Sequence, residues 1–234
     1  MHLSWNEADI VFLDMDDTLI ANDCDVSWKE FLVDAGLAPK DERADAQRYW
    51  DDYCAGRLDQ QTFLEFQLRQ FVGKTIEDMR ALSRRHFEAR VRARIYPQAR
   101  RTVAAILERG APAVLLSATN RIIAEPIAEA FRMTDVVCTE LERRDGVFTG
   151  GIIPPYCFRE GKVARARACC VSRGTTLDRA AYFGDSPADI PMLESVGAAI
   201  VVNPRGQLLA KAQEKGWTTE RWTIEETEDL RPES

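Results

Sequence analysis

Ile10-Val11-Phe12-Leu13-Asp14-Met15-Asp16-Asp17-Thr18-Leu19 decides how this chain is read. Four apolar residues that end on an aspartate make a buried strand with charge at its carboxyl end, which is where open α/β sheets hold their ligands. Taken alone, the run also fits a strand that closes in an acidic turn. A second run of the same kind, Ala180-Ala181-Tyr182-Phe183-Gly184-Asp185-Ser186-Pro187-Ala188-Asp189, removes that ambiguity. Bare carboxylates on two strand ends repel each other, so their convergence needs a cation, and aspartates with backbone carbonyls and water suit Mg²⁺.

Working outward, strand-length apolar runs recur at 113–117, 136–139 and 198–203, with helix-like spacing at 97–109, 121–131, 160–172, 187–195 and 205–215. Pro97 near the start and Gly110 just past the end frame the first of those helices. Strand and helix alternate from residue 97 onward, which predicts an α/β fold: a Rossmann-like parallel sheet sandwiched by helices. About 80 residues after Asp14 break the pattern and contain no strand. They read as helices near 26–35, 40–55, 59–72 and 75–93, with Trp28, Phe31, Tyr49, Trp50, Tyr53, Phe63, Phe66, Phe71 and Phe87 supplying a core of their own. The expected organisation is therefore a core domain of residues 1–20 and 97–234 with a four-helix-bundle cap, 21–96, inserted into it. Alternation around Asp145-Gly146 and Gly150-Gly151 predicts a β-hairpin or an extended excursion, and the polar tail 218–234 is expected to fray.

Composition narrows the function. The chain has 234 residues with 31 basic and 38 acidic side chains, a net charge of −7, which argues against a nucleic-acid or anionic-membrane binder. Residues 23–65 concentrate that acidity, with 11 acids and 5 bases. Two histidines, His2 and His86, cannot build a histidine metal site. Six cysteines without a CxxC pair, no leader pattern at the N-terminus and no apolar run of membrane-spanning length predict a cytoplasmic protein with no membrane span. No GxGxxG or GxxxxGK[ST] run is present.

Two further groups sit at strand ends or helix starts. Ser117, in Leu115-Leu116-Ser117-Ala118-Thr119-Asn120, and the backbone N–H groups beside it can bond phosphate oxygens, and Lys162, in Arg159-Glu160-Gly161-Lys162, can supply a positive charge. Asp-Met-Asp-Asp-Thr-Leu, Ser117, Lys162 and Gly-Asp-Ser-x-x-Asp, in that order, resemble the four-motif signature of the haloacid dehalogenase superfamily, and most closely its phosphoserine-phosphatase-like branch, across nearly the whole chain.

That resemblance implies a Mg²⁺-dependent phosphatase acting on a small phosphate ester. It implies Asp14 as nucleophile and Asp16 as general acid and base. Mg²⁺ would lie on Asp14, the Asp16 carbonyl and Asp185, with Asp189 as a further ligand or a support behind them. Ser117, Ala118 and Lys162 would hold the phosphoryl group, and Thr18 would orient the nucleophile's loop. For the substrate, the branch's cap glutamate falls on Asp23, and its cap arginine falls near Glu65, a shift of a few residues bringing Arg69 or Arg57 instead. An acidic pocket favours a cationic amino-alcohol phosphate such as histidinol phosphate, with phosphoserine or a lipid phosphate as alternatives. Phosphotransfer and a non-catalytic phosphoacceptor module are the remaining readings, and oligomeric state is left open.

Overall fold

The structure, a computed structural model, describes residues 3–224. A single seven-stranded sheet organises it: β1 (Ile10–Leu13), β2 (Ala113–Asn120), β3 (Asp135–Arg144), β4 (Val147–Ile153), β5 (Ala180–Gly184), β6 (Ala198–Val202) and β7 (Thr218–Glu220), in the order β4-β3-β2-β1-β5-β6-β7. Every pairing is parallel except β3 with β4. β1 is central because all four of its residues are apolar and buried on both faces. Val11 and Leu13 join one core layer while Ile10 and Phe12 join the other, as the two-residue period of a strand requires.

The helices flanking the sheet are α5 (Pro97–Glu108) and α6 (Arg121–Phe131), packed on the first face, and α7 (Glu160–Ser172), α8 (Ile190–Leu193) and α9 (Gly206–Lys215), packed on the second. Between β1 and β2 lie α1 (Cys24–Asp34), α2 (Glu42–Cys54), α3 (Gln60–Leu68) and α4 (Ile76–His86), the last running into a π-turn at Phe87–Val91. The two connections to these helices run together: Ala21 N–H donates to the Arg94 carbonyl at 2.7 Å and Tyr96 N–H to that of Leu19 at 3.1 Å. No helix among the described residues is long and apolar enough to cross a membrane. The six thiols are unpaired.

Four sequence expectations change. The cap does not close over a core of its own: Trp28, Phe31, Phe71 and Phe87 belong to the same apolar layer as Val11, Leu115 and Phe183, because α1 and α4 lie across the sheet's first face. The helix expected over 187–195 shrinks to a 3₁₀ turn, Pro187–Asp189, and the one-turn α8, interrupted where Pro187 and Pro191 withhold backbone donors. The strand at 136–139 extends to Arg144 and turns into β4 through Asp145 and Gly146, both at positive φ, as an Asp-Gly hairpin needs. The tail is ordered through Trp222: β7 pairs with β6, and the Trp222 ring, 4% exposed, packs on Phe183 and Tyr96. The rest of that expectation, residues 225–234, lies outside the described residues.

Candidate active site

β1 and β5 are neighbours, yet the chain leaves β1 toward β2 on one side and returns to β5 on the other, so the sheet's switch point lies between their carboxyl ends. Asp14 follows β1 and Asp185 follows β5. Carboxylate oxygens of Asp14, Asp185 and Asp189 come within 4.8 Å of one another. The sole lysine among them is Lys162, on the first turn of α7, whose Nζ donates to Asp14 Oδ1 and Asp189 Oδ1 at 2.7 Å each and to the Tyr182 hydroxyl at 3.1 Å. Its side chain is almost wholly buried, and the surrounding carboxylates hold its ammonium charged although burial opposes this.

The carboxylates divide by partner. Burial alone would lift Asp189, but Lys162, the Tyr182 hydroxyl at 2.5 Å and the N–H and hydroxyl of Ser186 outweigh it and keep Asp189 below the usual carboxylate range. Asp189 is thus spent on holding Lys162, which places it behind the cluster. Burial pushes Asp14 up to about 7 against the pull of Lys162, and burial with the charges of Asp14 and Asp189 pushes Asp185 well above its ordinary value. Asp14 and Asp185 therefore form an under-compensated pair of oxygen donors, a set that suits a hard divalent cation. Thr18, fully buried, donates to Asp185 Oδ1 at 2.8 Å, so it ties the β1 loop to the β5 loop and braces Asp185 rather than Asp14.

Asp16 points elsewhere. Its Oδ1 accepts from the Cys24 N–H at 2.8 Å, at the first turn of α1, and its Oδ2 accepts from the Thr119 hydroxyl at 2.9 Å. Burial, then the neighbouring charges of Asp23, Asp25 and Asp14, push it well above the ordinary range, so it tends to carry a proton. On the opposite side, Ser117 Oγ accepts from the Thr119 N–H at 3.1 Å, which leaves its own O–H to donate, and Ser117 and Ala118 line the cavity with Lys162.

That cavity, about 100 Å³, is roofed by the helices between β1 and β2. Tyr49, Trp50 and Tyr53 of α2 and Phe63 of α3 face into it, so part of the aromatic set assigned to the bundle core is a cavity wall. Asp23, the N-cap of α1, bonds the Val26 N–H at 2.8 Å and is raised by burial to about 6. Asp25, one of several residues missed from the sequence, also lines the cavity, and burial followed by the charge of Asp23 lifts it to about 8. Asp23 was expected here from the resemblance; the only hint of Asp25 was its spacing of two from Asp23. Glu65 is not at the site: it is exposed and bonded to Gln61 at 3.1 Å, because the buried side of α3 carries Phe63, Phe66 and Gln67. Arg57 and Arg69 pair with Asp52 and Glu42 instead, so among the described residues Lys162 is the one basic residue lining the cavity.

Comparison with known proteins agrees with this arrangement. A histidinol-phosphatase of Neisseria meningitidis serogroup C is 32% identical over 213 residues, covering 89% of this chain and 96% of that protein. A phosphoserine phosphatase of Mycobacterium tuberculosis is 29% identical over 167 residues, 71% of this chain; the chain spans about half of that relative's length, 52%. Among solved structures, a protein of unknown function from Bordetella pertussis Tohama I superposes with a TM-score of 0.81 at 31% identity, over 90% of this chain and 96% of that one. A phosphoserine phosphatase captured as a phospho-aspartyl intermediate analogue shares the fold, with a TM-score of 0.65 at 19% identity over 88% of this chain and 91% of that one. Because the profile of the haloacid dehalogenase-like hydrolases also matches residues 11–194, the chain belongs to that family and is an enzyme.

Proposed function

We propose that this enzyme hydrolyses a small cationic alcohol phosphate through an aspartyl-phosphate on Asp14, with histidinol phosphate as the first substrate to test. The observation that carries the reading is the Asp14–Lys162 contact at 2.7 Å beneath a cavity whose remaining charged lining is acidic. In the first half-reaction an Asp14 oxygen bonds to phosphorus as the bond to the substrate oxygen breaks, and Asp16 gives that oxygen its proton. In the second, Asp16 takes a proton from water as the water oxygen bonds to phosphorus, and Asp14 is released. Lys162, the Ser117 hydroxyl and the backbone beside Ala118 bind the phosphoryl oxygens throughout. Asp14, Asp185 and the Asp16 carbonyl would hold Mg²⁺, which would supply a Lewis acid that offsets the charge of these carboxylates against the phosphoryl group.

The cap, residues 21–96, selects the alcohol. Asp23, Asp25 and the aromatic faces of Tyr49, Trp50 and Tyr53 suit an organic cation, through charge and cation–π attraction. Phosphoserine is the second reading, favoured by the mycobacterial relative, but its carboxylate would meet two aspartates and no arginine. Six unpaired thiols suit a reducing compartment such as the cytoplasm.

Phosphate release measured on histidinol phosphate, phosphoserine, phosphocholine and phosphatidylglycerophosphate tests the reading. Mg²⁺-dependent turnover that prefers histidinol phosphate and is lost in Asp14→Asn is expected. Undiminished activity in Asp14→Asn would remove Asp14 as nucleophile, and a preference for phosphoserine would overturn the charge argument.

A further inference from the structure

We infer that the Thr119 hydroxyl is the positioning residue of Asp16, the group that gives and takes the proton. The inference rests on the phosphatase reading above. Both Asp16 oxygens are engaged, but by chemically different partners. Oδ1 faces the Cys24 N–H at 2.8 Å, and a backbone N–H can only donate. One lone pair of Oδ1 is therefore committed to that donor, which fixes this edge of the carboxyl group. Oδ2 faces the Thr119 hydroxyl at 2.9 Å, and a hydroxyl can donate or accept by turning about its C–O bond. Thr119 can thus donate to a lone pair of Oδ2 in either state of the acid, which holds the carboxyl group in place and leaves its proton free for the leaving oxygen.

The placement fits the proton's path. Thr119 is 3% exposed and lines the cavity beside Ser117 and Ala118, and its N–H donates to Ser117 Oγ at 3.1 Å. Its side chain therefore registers Asp16 against the same loop that would hold the phosphoryl group. The Cys24 bond registers Asp16 against α1 of the cap. In the first half-reaction the O–H bond of Asp16 breaks and the proton goes to the leaving oxygen as its bond to phosphorus breaks, while the Thr119 hydroxyl keeps the carboxyl group in place. In the second, the proton from the attacking water returns to Asp16, held in the same place. No other acid or base is required.

A leaving group that departs readily without a proton should tolerate the loss of Thr119, whereas a poor one should not. Thr119→Val keeps the shape and removes the hydroxyl, and Thr119→Ser keeps the hydroxyl. The test measures kcat/KM, which reports the first half-reaction, for p-nitrophenyl phosphate, phenyl phosphate and histidinol phosphate. In Thr119→Val the loss for histidinol phosphate should exceed that for p-nitrophenyl phosphate by about 10- to 100-fold, with phenyl phosphate between them, and Thr119→Ser should recover most of it. An equal loss on all three esters, or a failure of Thr119→Ser to recover it, overturns the inference while leaving Asp14-dependent hydrolysis standing. Inactivity of the parent enzyme on all three would instead overturn the phosphatase reading. Should Thr119→Val not fold, Thr119→Ala gives the same comparison.

Discussion

Asp25 carries no role in the motif pattern, yet its position on the first turn of α1 points it into the cavity two residues from Asp23. Burial beside Asp23 makes its ionised form costly when nothing positive is present, and Lys29, one helical turn on, offsets only part of that. A bound ammonium or imidazolium group would complete the site. Asp25→Asn should raise KM for a cationic phosphate ester by about 10- to 100-fold, the scale of a hydrogen bond to a charged group. The loss for p-nitrophenyl phosphate, whose alcohol portion carries no cation, should be at least about tenfold smaller; steady-state kinetics on the two esters checks this, and equal losses would remove Asp25 from substrate recognition. The core of the site was legible residue by residue because Asp14, Asp16, Lys162 and Asp185 stand just past strand ends or at a helix start, and Ser117 closes the apolar run that opens β2, positions that a sequence marks. Thr119 and Tyr182 were not, since Thr119 meets Asp16 across 103 residues and Tyr182 meets Lys162 across 20, pairings that no local pattern reveals; nor was Asp25, whose place in the cavity depends on how α1 packs.

At the scale of elements, α7 delivers Lys162, and its register depends on one close approach. A Cβ on Gly161 would lie 1.7 Å from the Tyr156 carbonyl oxygen, so the helix start fits against the 156–158 loop only because that residue has no side chain. The same loop presents Tyr156 and Phe158 to the cavity, and the Phe158 ring meets Tyr53 of α2 at 6.3 Å. Gly161→Ala should therefore cost about 1–3 kcal/mol of stability by overpacking. It should also cut kcat/KM about 100-fold, because displacing the helix start by about 1 Å misplaces Lys162 against Asp14. Thermal denaturation and kinetics on the same preparation check both; an active variant with only a lowered Tm would show that Lys162 tolerates the shift. Sequence spacing located α7 within a residue but could not show this contact, since a glycine at a helix start has many uses. The cap helices were legible as elements but less well in their bounds, since α3 ends at Leu68 where 72 was expected and α4 gives way after His86 where 93 was expected. Their anchoring was not, because Lys29 of α1, fully buried, reaches Glu42 of α2 at 3.2 Å and the Phe66 carbonyl of α3 at 2.5 Å, a network that reads in sequence as scattered surface charge.

Over the whole molecule, folding brings more carboxylate into the cleft than Lys162 can balance, and this sets how stability responds to pH and to cations. Asp14 and Asp25 have folded values of about 7 and about 8, raised first by burial, against an unfolded value near 3.9. For a group raised in this sense, the stabilising contribution is complete below the unfolded value and is lost as pH climbs through the folded one. Without a divalent cation, Tm should therefore fall as pH rises from about 5 to about 8. A cation that binds the ionised pair of Asp14 and Asp185 stabilises the folded state alone, so its effect should grow over the same interval. At about 100 times its dissociation constant it adds about 2.7 kcal/mol, which in a chain of this size raises Tm by about 5–10 °C. Differential scanning calorimetry from pH 5 to 8, with Mg²⁺ and with a chelator, reads this directly. Asp185→Asn should abolish most of the Mg²⁺ increment while itself raising the metal-free Tm at pH 8, because it removes a buried charge that only the cation would compensate. A Mg²⁺ increment that survives in Asp185→Asn would place the cation elsewhere than between β1 and β5.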